Sequence, residues 1–262
     1  MIKVLVFLLL SVAPASLPGS VWLMPWKFSV AVGDKALVTV RAGNDLTGEP
    51  LDVKRESVEK AEHHDLAGVT DMRPLLKDGT KNQLEEVLSR EGTHLLALKS
   101  VSEPVSMPAE EFNVFLKDHA LDDIFAQREK TGTLNAEGKQ LYSWSSKLLL
   151  QAGNKKDDTA IKSVGFPLEI VPERNPYMAK AGDRMRFKIF WQGKPLFGAK
   201  VRVWSNKERV TSVQTIYTGK DGVIETQLSN DGTWMVSVVK IIPAKSDKAD
   251  WRTYQASLVF GW

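Results

Sequence analysis

The 262 residues of this chain include no cysteine. That absence excludes disulfides, thiolate metal sites, cysteine nucleophiles and lipid attachment through cysteine. Histidine is scarce too, and His63, His64, His94 and His119 are the whole imidazole supply. Any imidazole-based metal site must therefore draw on these four. There is no HExxH pair and no GxSxG elbow, and no serine stands in a recognisable context with a histidine. Gly193-Lys194-Pro195 lacks the Ser or Thr that ends a phosphate loop, and it lies between strand-like segments rather than before a helix. These absences point away from an enzyme and toward a binding or accessory protein. Charge of one sign is also lacking. The formal net charge is only +3, acidic and basic residues are interspersed, and no Lys/Arg cluster is interleaved with aromatics, so nucleic acid is not an expected partner.

Long apolar runs are confined to the start of the chain. Met1-Ile2-Lys3 gives a short positive beginning, Val4 to Leu10 is continuously apolar, and Ala13-Pro14-Ala15 supplies small residues at a peptidase-like spacing. Residues 1–20 are expected to be a cleavable signal peptide, cut after Ala15 or near Gly19-Ser20. The run ends at Pro14, short of the roughly 20 residues that span a bilayer. No later segment is apolar enough to cross, so the mature form is expected to have no transmembrane segment. An exported chain without disulfides fits a periplasm.

What is present is mainly β patterning. Phe28-Ser29-Val30-Ala31-Val32 and Ala36-Leu37-Val38-Thr39-Val40 are separated by Gly33-Asp34, and Thr93 to Leu98 is entered through Gly92. Ser57 to Asp71 is polar and charged, which predicts a loop or short helix. Phe112, Phe115, Leu116, Leu121, Ile124 and Phe125 recur at three- and four-residue steps, predicting two short amphipathic helices within 108–130. Tyr142 to Leu150 alternates large and small residues, as a long half-buried strand would. Beyond the turn-rich Gly153 to Thr159, alternation resumes in Met185-Phe187-Ile189-Trp191, Ala199-Val201-Val203 and Trp234-Val236-Val238. Turns at roughly ten-residue spacing predict immunoglobulin-like β-sandwiches. The expected organisation is two such domains, residues 21–160 with the helical insertion at 108–130, and residues 161–262.

Several segments carry a family resemblance. Gly165-Phe166-Pro167-Leu168-Glu169-Ile170-Val171-Pro172 with Asn175-Pro176-Tyr177 resembles the opening of the second domain of the DUF4198 family. Gly193-Lys194-Pro195-Leu196-Phe197-Gly198-Ala199-Lys200-Val201, Asp221-Gly222, Gly232-Thr233-Trp234 and Asp250-Trp251 through Phe260 are similar to its later segments. Trp22-Leu23-Met24-Pro25, Gly92-Thr93-His94 and Tyr142…Lys147…Gly153 fit its first domain. The resemblance implies a NikM-like periplasmic component of nickel or cobalt uptake working beside a membrane metal transporter. It also implies Ni²⁺ or Co²⁺ as the bound ion. Where such proteins present a histidine near the mature N-terminus, this chain has Ser20-Val21; where they place one after the G-x-W strand, it has Lys240.

The candidate metal ligands are His63, His64, His94 and His119. Glu62-His63-His64-Asp65 is the only dense cluster of metal-capable side chains, although adjacent histidines point different ways and a charged surface loop would look the same. His94 also reads as a satisfied strand histidine, and His119 as a helix C-terminal residue favoured by the dipole. The eight tryptophans allow a second function, a cell-envelope module that binds carbohydrate or another ligand without metal. Trp144, Trp191 and Trp234, however, share the phase of apolar neighbours, which points to core packing.

Overall fold

A computed structural model describes residues 19–79 and 83–262. The expected signal peptide, up to residue 18, lies outside the described residues. The strands of the described residues form three sheets. The first comprises β1 (Ser20–Pro25), β3 (Lys35–Gly43), β4 (Glu49–Pro50) and β7 (Gln83–Val87). The central sheet has ten strands: β2 (Ser29–Val30), β5 (Val58–His64), β6 (Val69–Asp71), β8 (Gly92–Ser100), β9 (Glu103–Met107), β10 (Gly138–Ala152), β14 (Lys200–Lys207), β15 (Val210–Tyr217), β17 (Thr233–Ser246) and β18 (Ala249–Gly261). The third holds β11 (Leu168–Pro172), β12 (Arg184–Trp191), β13 (Lys194–Pro195) and β16 (Val223–Gln227). One outer sheet is drawn from residues before 160 and the other from residues after it, while the central sheet takes strands from both.

The joint is β10. Its residues Gln140–Leu148 pair in parallel with Trp251–Val259 of β18, and its end, Leu149–Ala152, pairs antiparallel with Leu95–Gly92 of β8. The central sheet is covered on both faces. Leu96, Leu98, Leu148, Leu150 and Val259 pack in one core cluster with Trp22, Val38 and Leu84 of the first sheet. Their sequence neighbours Leu95, Ala97, Leu149, Leu258 and Phe260 pack in another with Ile170, Phe187 and Ile224 of the third. A strand buried on both sides needs apolar residues at consecutive positions, which is why Leu95 to Leu98 and Leu148 to Leu150 are unbroken runs. Tyr142 to Leu150 was expected to be half-buried; every residue in it is buried, because the third sheet covers the face that alternation assigns to solvent. Truncating such a leucine to alanine costs about 2–5 kcal/mol.

The helical insertion forms as expected, with α1 at Ala109–Asp118 and α2 at Asp122–Lys130. Phe112, Leu116, Leu121 and Ile124 bury their shared face against Val239, Ile241 and Trp251 of β17 and β18. Among the described residues no helix is long and apolar enough to cross a membrane. Trp22, Trp144, Trp204, Trp234 and Trp251 are buried, so most of the tryptophan content is core.

One segment departs from expectation. Residues 57–71 hold β5 and β6, joined by a tight turn at Asp65 to Gly68, instead of a loop or short helix. Their polar side chains gave no apolar alternation, yet β5 pairs with β8 along nearly its whole length. Pairing to an established neighbour has overridden composition.

Candidate metal centre

Once residues 58–64 are a strand, period-2 geometry decides which polar groups meet. Ala61 and His63 point toward the first sheet, and Asp65, two residues on, continues that face. Lys60, Glu62 and His64 point toward the third sheet, where Lys60 Nζ reaches the Val164 carbonyl at 2.8 Å. His64 Nε2 meets Glu62 Oε2 at 2.9 Å on that side, away from His63. On β8, His94 shares the phase of Leu96 and Leu98, so it also faces the first sheet. In the β5–β8 register His63 lies opposite Leu96 and His64 opposite Leu95, which brings His94 diagonally beside His63.

The start of β8 is pinned. Gly92 has φ +144°, and an added Cβ would meet Asp157 Oδ2 at 2.5 Å. That same oxygen accepts the Thr93 N–H at 2.9 Å, and Asn175 Nδ2 donates to Thr93 Oγ1 at 2.7 Å. The Gly-Thr-His run therefore holds His94 in place from two sides.

His63 Nε2 and His94 Nδ1 are 2.7 Å apart. His63 Nδ1 contacts Glu86 Oε1 at 2.8 Å, and His94 Nε2 donates to the Arg90 carbonyl at 2.9 Å. Asp65 completes the group: one ligand atom from each of His63, Asp65 and His94 falls within 4.8 Å of the others. Glu86 comes from β7, in phase with Leu84 on that strand and Leu88 just beyond it, and the two leucines are buried in the core. A carboxylate in phase with leucines was the signal that sequence reading missed; Arg90 carried none.

A carbonyl only accepts, so His94 carries a proton on Nε2. The three contacts from Glu86 through His63 and His94 to the Arg90 carbonyl need three protons, one more than two neutral imidazoles and an ionised carboxylate carry. Burial pushes His94 below its ordinary pKa, and the neighbouring His63 charge adds to this. Asp65 is pushed up by burial, but the N–H groups of Ala67 and Gly68, at 2.7 and 3.1 Å from its Oδ1, and the two imidazoles bring it net below the usual carboxylate range. A neutral imidazole and an ionised carboxylate are the forms that ligate metal.

The other two histidines lie apart from this group. His64 is pushed down by burial, with Glu62 opposing. His119 caps the C-terminal end of α1, donates from Nδ1 to the Phe115 carbonyl at 3.0 Å and packs on the Phe115 ring. Burial lowers it to about 4, so it holds the helix end as a neutral hydrogen-bond donor and not as a charge on the dipole. Ser20 and Val21 begin β1, and Lys240 pairs opposite Tyr254 on β17; none belongs to the His63 cluster.

Comparison with curated proteins gives no match. A family profile described as a domain of unknown function matches residues 20–241, from the first strand of the outer sheet to the middle of β17. That span covers β5, β7 and β8, and with them every residue of the His63 cluster. The chain therefore belongs to the DUF4198 family.

Proposed function

We propose that this is an exported, periplasmic binding protein that takes up a divalent transition-metal ion through His63, Asp65 and His94. Its role would be accessory to nickel or cobalt uptake by a membrane transporter. The observation that carries the metal site is the orientation of the two rings. In each, the outer nitrogen is already held, by the Glu86 carboxylate for His63 and by the Arg90 carbonyl for His94, which leaves the inner nitrogens facing each other. Carboxylate and carbonyl partners on the far nitrogen are the usual outer support of metal-bound imidazoles, fixing tautomer and ring direction. Two nitrogens and one carboxylate suit late first-row divalent ions better than Ca²⁺ or Mg²⁺. Three protein ligands leave coordination positions open, as suits a carrier that passes its ion on. Nickel and cobalt, the export leader and the transporter partner are supported by the family resemblance and by residues 1–20.

Isothermal titration of metal-stripped protein with Ni²⁺, Co²⁺, Zn²⁺ and Cu²⁺ tests this. The expected result is one saturable site per chain, with affinity following Co²⁺ < Ni²⁺ < Cu²⁺ > Zn²⁺, lost in the His63→Ala/His94→Ala double variant and retained in His119→Gln. Unchanged affinity in the double variant would rule the site out.

A further inference from the structure

We infer that Arg90 is a built-in competitor for the metal, a tethered cation that occupies the free oxygen of Asp65 and keeps the affinity of the site low. The inference rests on the metal-binding reading above. The two carboxylate oxygens of Asp65 have different partners. Oδ1 accepts the N–H groups of Ala67 and Gly68 and holds the turn between β5 and β6. Oδ2 is the oxygen left over, and the Arg90 Nε stands 3.2 Å from it. An incoming cation must displace the guanidinium to use Asp65 fully.

The arrangement allows that exchange. The Arg90 side chain is 58% exposed against 17% for Asp65, so the arginine can swing into water without breaking packing. Its backbone does a separate job, because the Arg90 carbonyl holds His94 Nε2 whatever the side chain does. One residue thus supports a ligand through its main chain and opposes the ion through its side chain. The two share a shallow cavity of about 190 Å³ lined by His63, Asp65, Gly68, Glu86 and Arg90. When the ion leaves, the guanidinium returns to Asp65, which favours release over tight storage.

Titration of Ni²⁺ and Zn²⁺ into wild type, Arg90→Gln, Arg90→Lys and His63→Ala, at low and at high salt, tests the inference. Arg90→Gln removes the charge and leaves the carbonyl; it should bind about tenfold more tightly, the order expected from losing an exposed ion pair and a nearby like charge. Arg90→Lys should stay close to wild type. The advantage of Arg90→Gln should shrink at high salt, where exposed charges are screened, a response that a purely structural role for Arg90 would not show. If wild type binds, His63→Ala does not, and Arg90→Gln matches wild type or is weaker, the competitor role is overturned and the metal site stands. Binding by Arg90→Gln where wild type shows none supports the inference in its strongest form. No binding by either would overturn both.

Discussion

The central sheet carries a buried polar cluster on each face, and the two are finished differently. Toward the third sheet, the Lys147 ammonium sits 2.9 Å from Glu169 Oε1 and donates to the carbonyls of Lys162 and Ile170. Glu169 in turn accepts from Ser163 Oγ and from the N–H groups of Val164 and Gly165. Both side chains are at most 2% exposed, all three ammonium protons are used, and nothing is left for a ligand. Toward the first sheet, the His63–His94 cluster opens to solvent through Asp65 and Arg90, and one of its hydrogen bonds exists only because a proton fills a gap between two nitrogens. A closed network joins layers; an open one, with a displaceable proton and a displaceable guanidinium, can exchange what it holds. Density of polar residues does not separate the two, whereas completeness of their partners does.

Breaking the closed cluster should have the largest effect. Lys147→Met leaves an unpaired carboxylate between sheets and should lower the unfolding free energy by about 3–5 kcal/mol in urea titration. Adding Glu169→Leu should recover only part of this, because the Val164 and Gly165 N–H groups lose their acceptor as well. If the single variant unfolds like wild type, the pair does not hold the layers together.

Acid should separate the buried imidazoles from the ion pair. His119 is held at about 4 against an ordinary 6.5, so between those values the unfolded chain binds a proton that the folded chain refuses. Stability must then fall as pH drops from 6.5 to 4, by about 3 kcal/mol from this residue. His64 and His94, also lowered, act in the same direction. Glu169 is pushed up by burial, but Lys147 and its hydrogen-bond donors outweigh this and hold it below the ordinary carboxylate value. Its contribution is therefore present at neutral pH and is lost only as pH falls through that lower value. Denaturant melts at stepped pH should show a shallower acid slope in His119→Gln; an unchanged slope would place the loss elsewhere.

Metal should distinguish the two faces directly. Ni²⁺ held at a hundred times its dissociation constant should stabilise the native protein by about 2.7 kcal/mol. Lys147→Met should keep that increment despite its lower baseline, and His63→Ala should lose it. Equal increments in both variants would mean that the ion binds at neither cluster.

The β content was legible in the sequence, and so were the helices, where Phe112 to Phe125 kept a helical period; the cover on both faces of Leu148 to Leu150 was not, because the alternation of Tyr142 to Leu150 predicts a half-buried strand. What was hidden depended on pairing. Residues 58–64 present Ala61 and His63 to one side and Lys60, Glu62 and His64 to the other, so no apolar alternation announced a strand. The parallel contact of β10 with β18 joins segments far apart in sequence, and nothing local encodes it. The site shared that limit. All four histidines were visible, but the choice of His63 with His94 follows from the β5–β8 register. Glu86 and Arg90 enter only because β7 and the loop after it pass over that face.

The smallest expected change is the most discriminating. Glu86→Gln keeps the shape of the side chain but removes its charge, and its amide N–H can donate to His63 Nδ1. The hydrogen-bond chain from residue 86 through His63 and His94 to the Arg90 carbonyl is then complete with neutral groups and needs no extra proton. Folding stability should therefore stay within about 1 kcal/mol of wild type, unlike the loss in Lys147→Met. Metal affinity should fall by about 10- to 100-fold, because the carboxylate that makes His63 a stronger donor is gone. The opposite pattern, a loss of several kcal/mol with affinity unchanged, would make Glu86–His63 a second structural pair like Lys147–Glu169, and the contrast between the two faces would collapse.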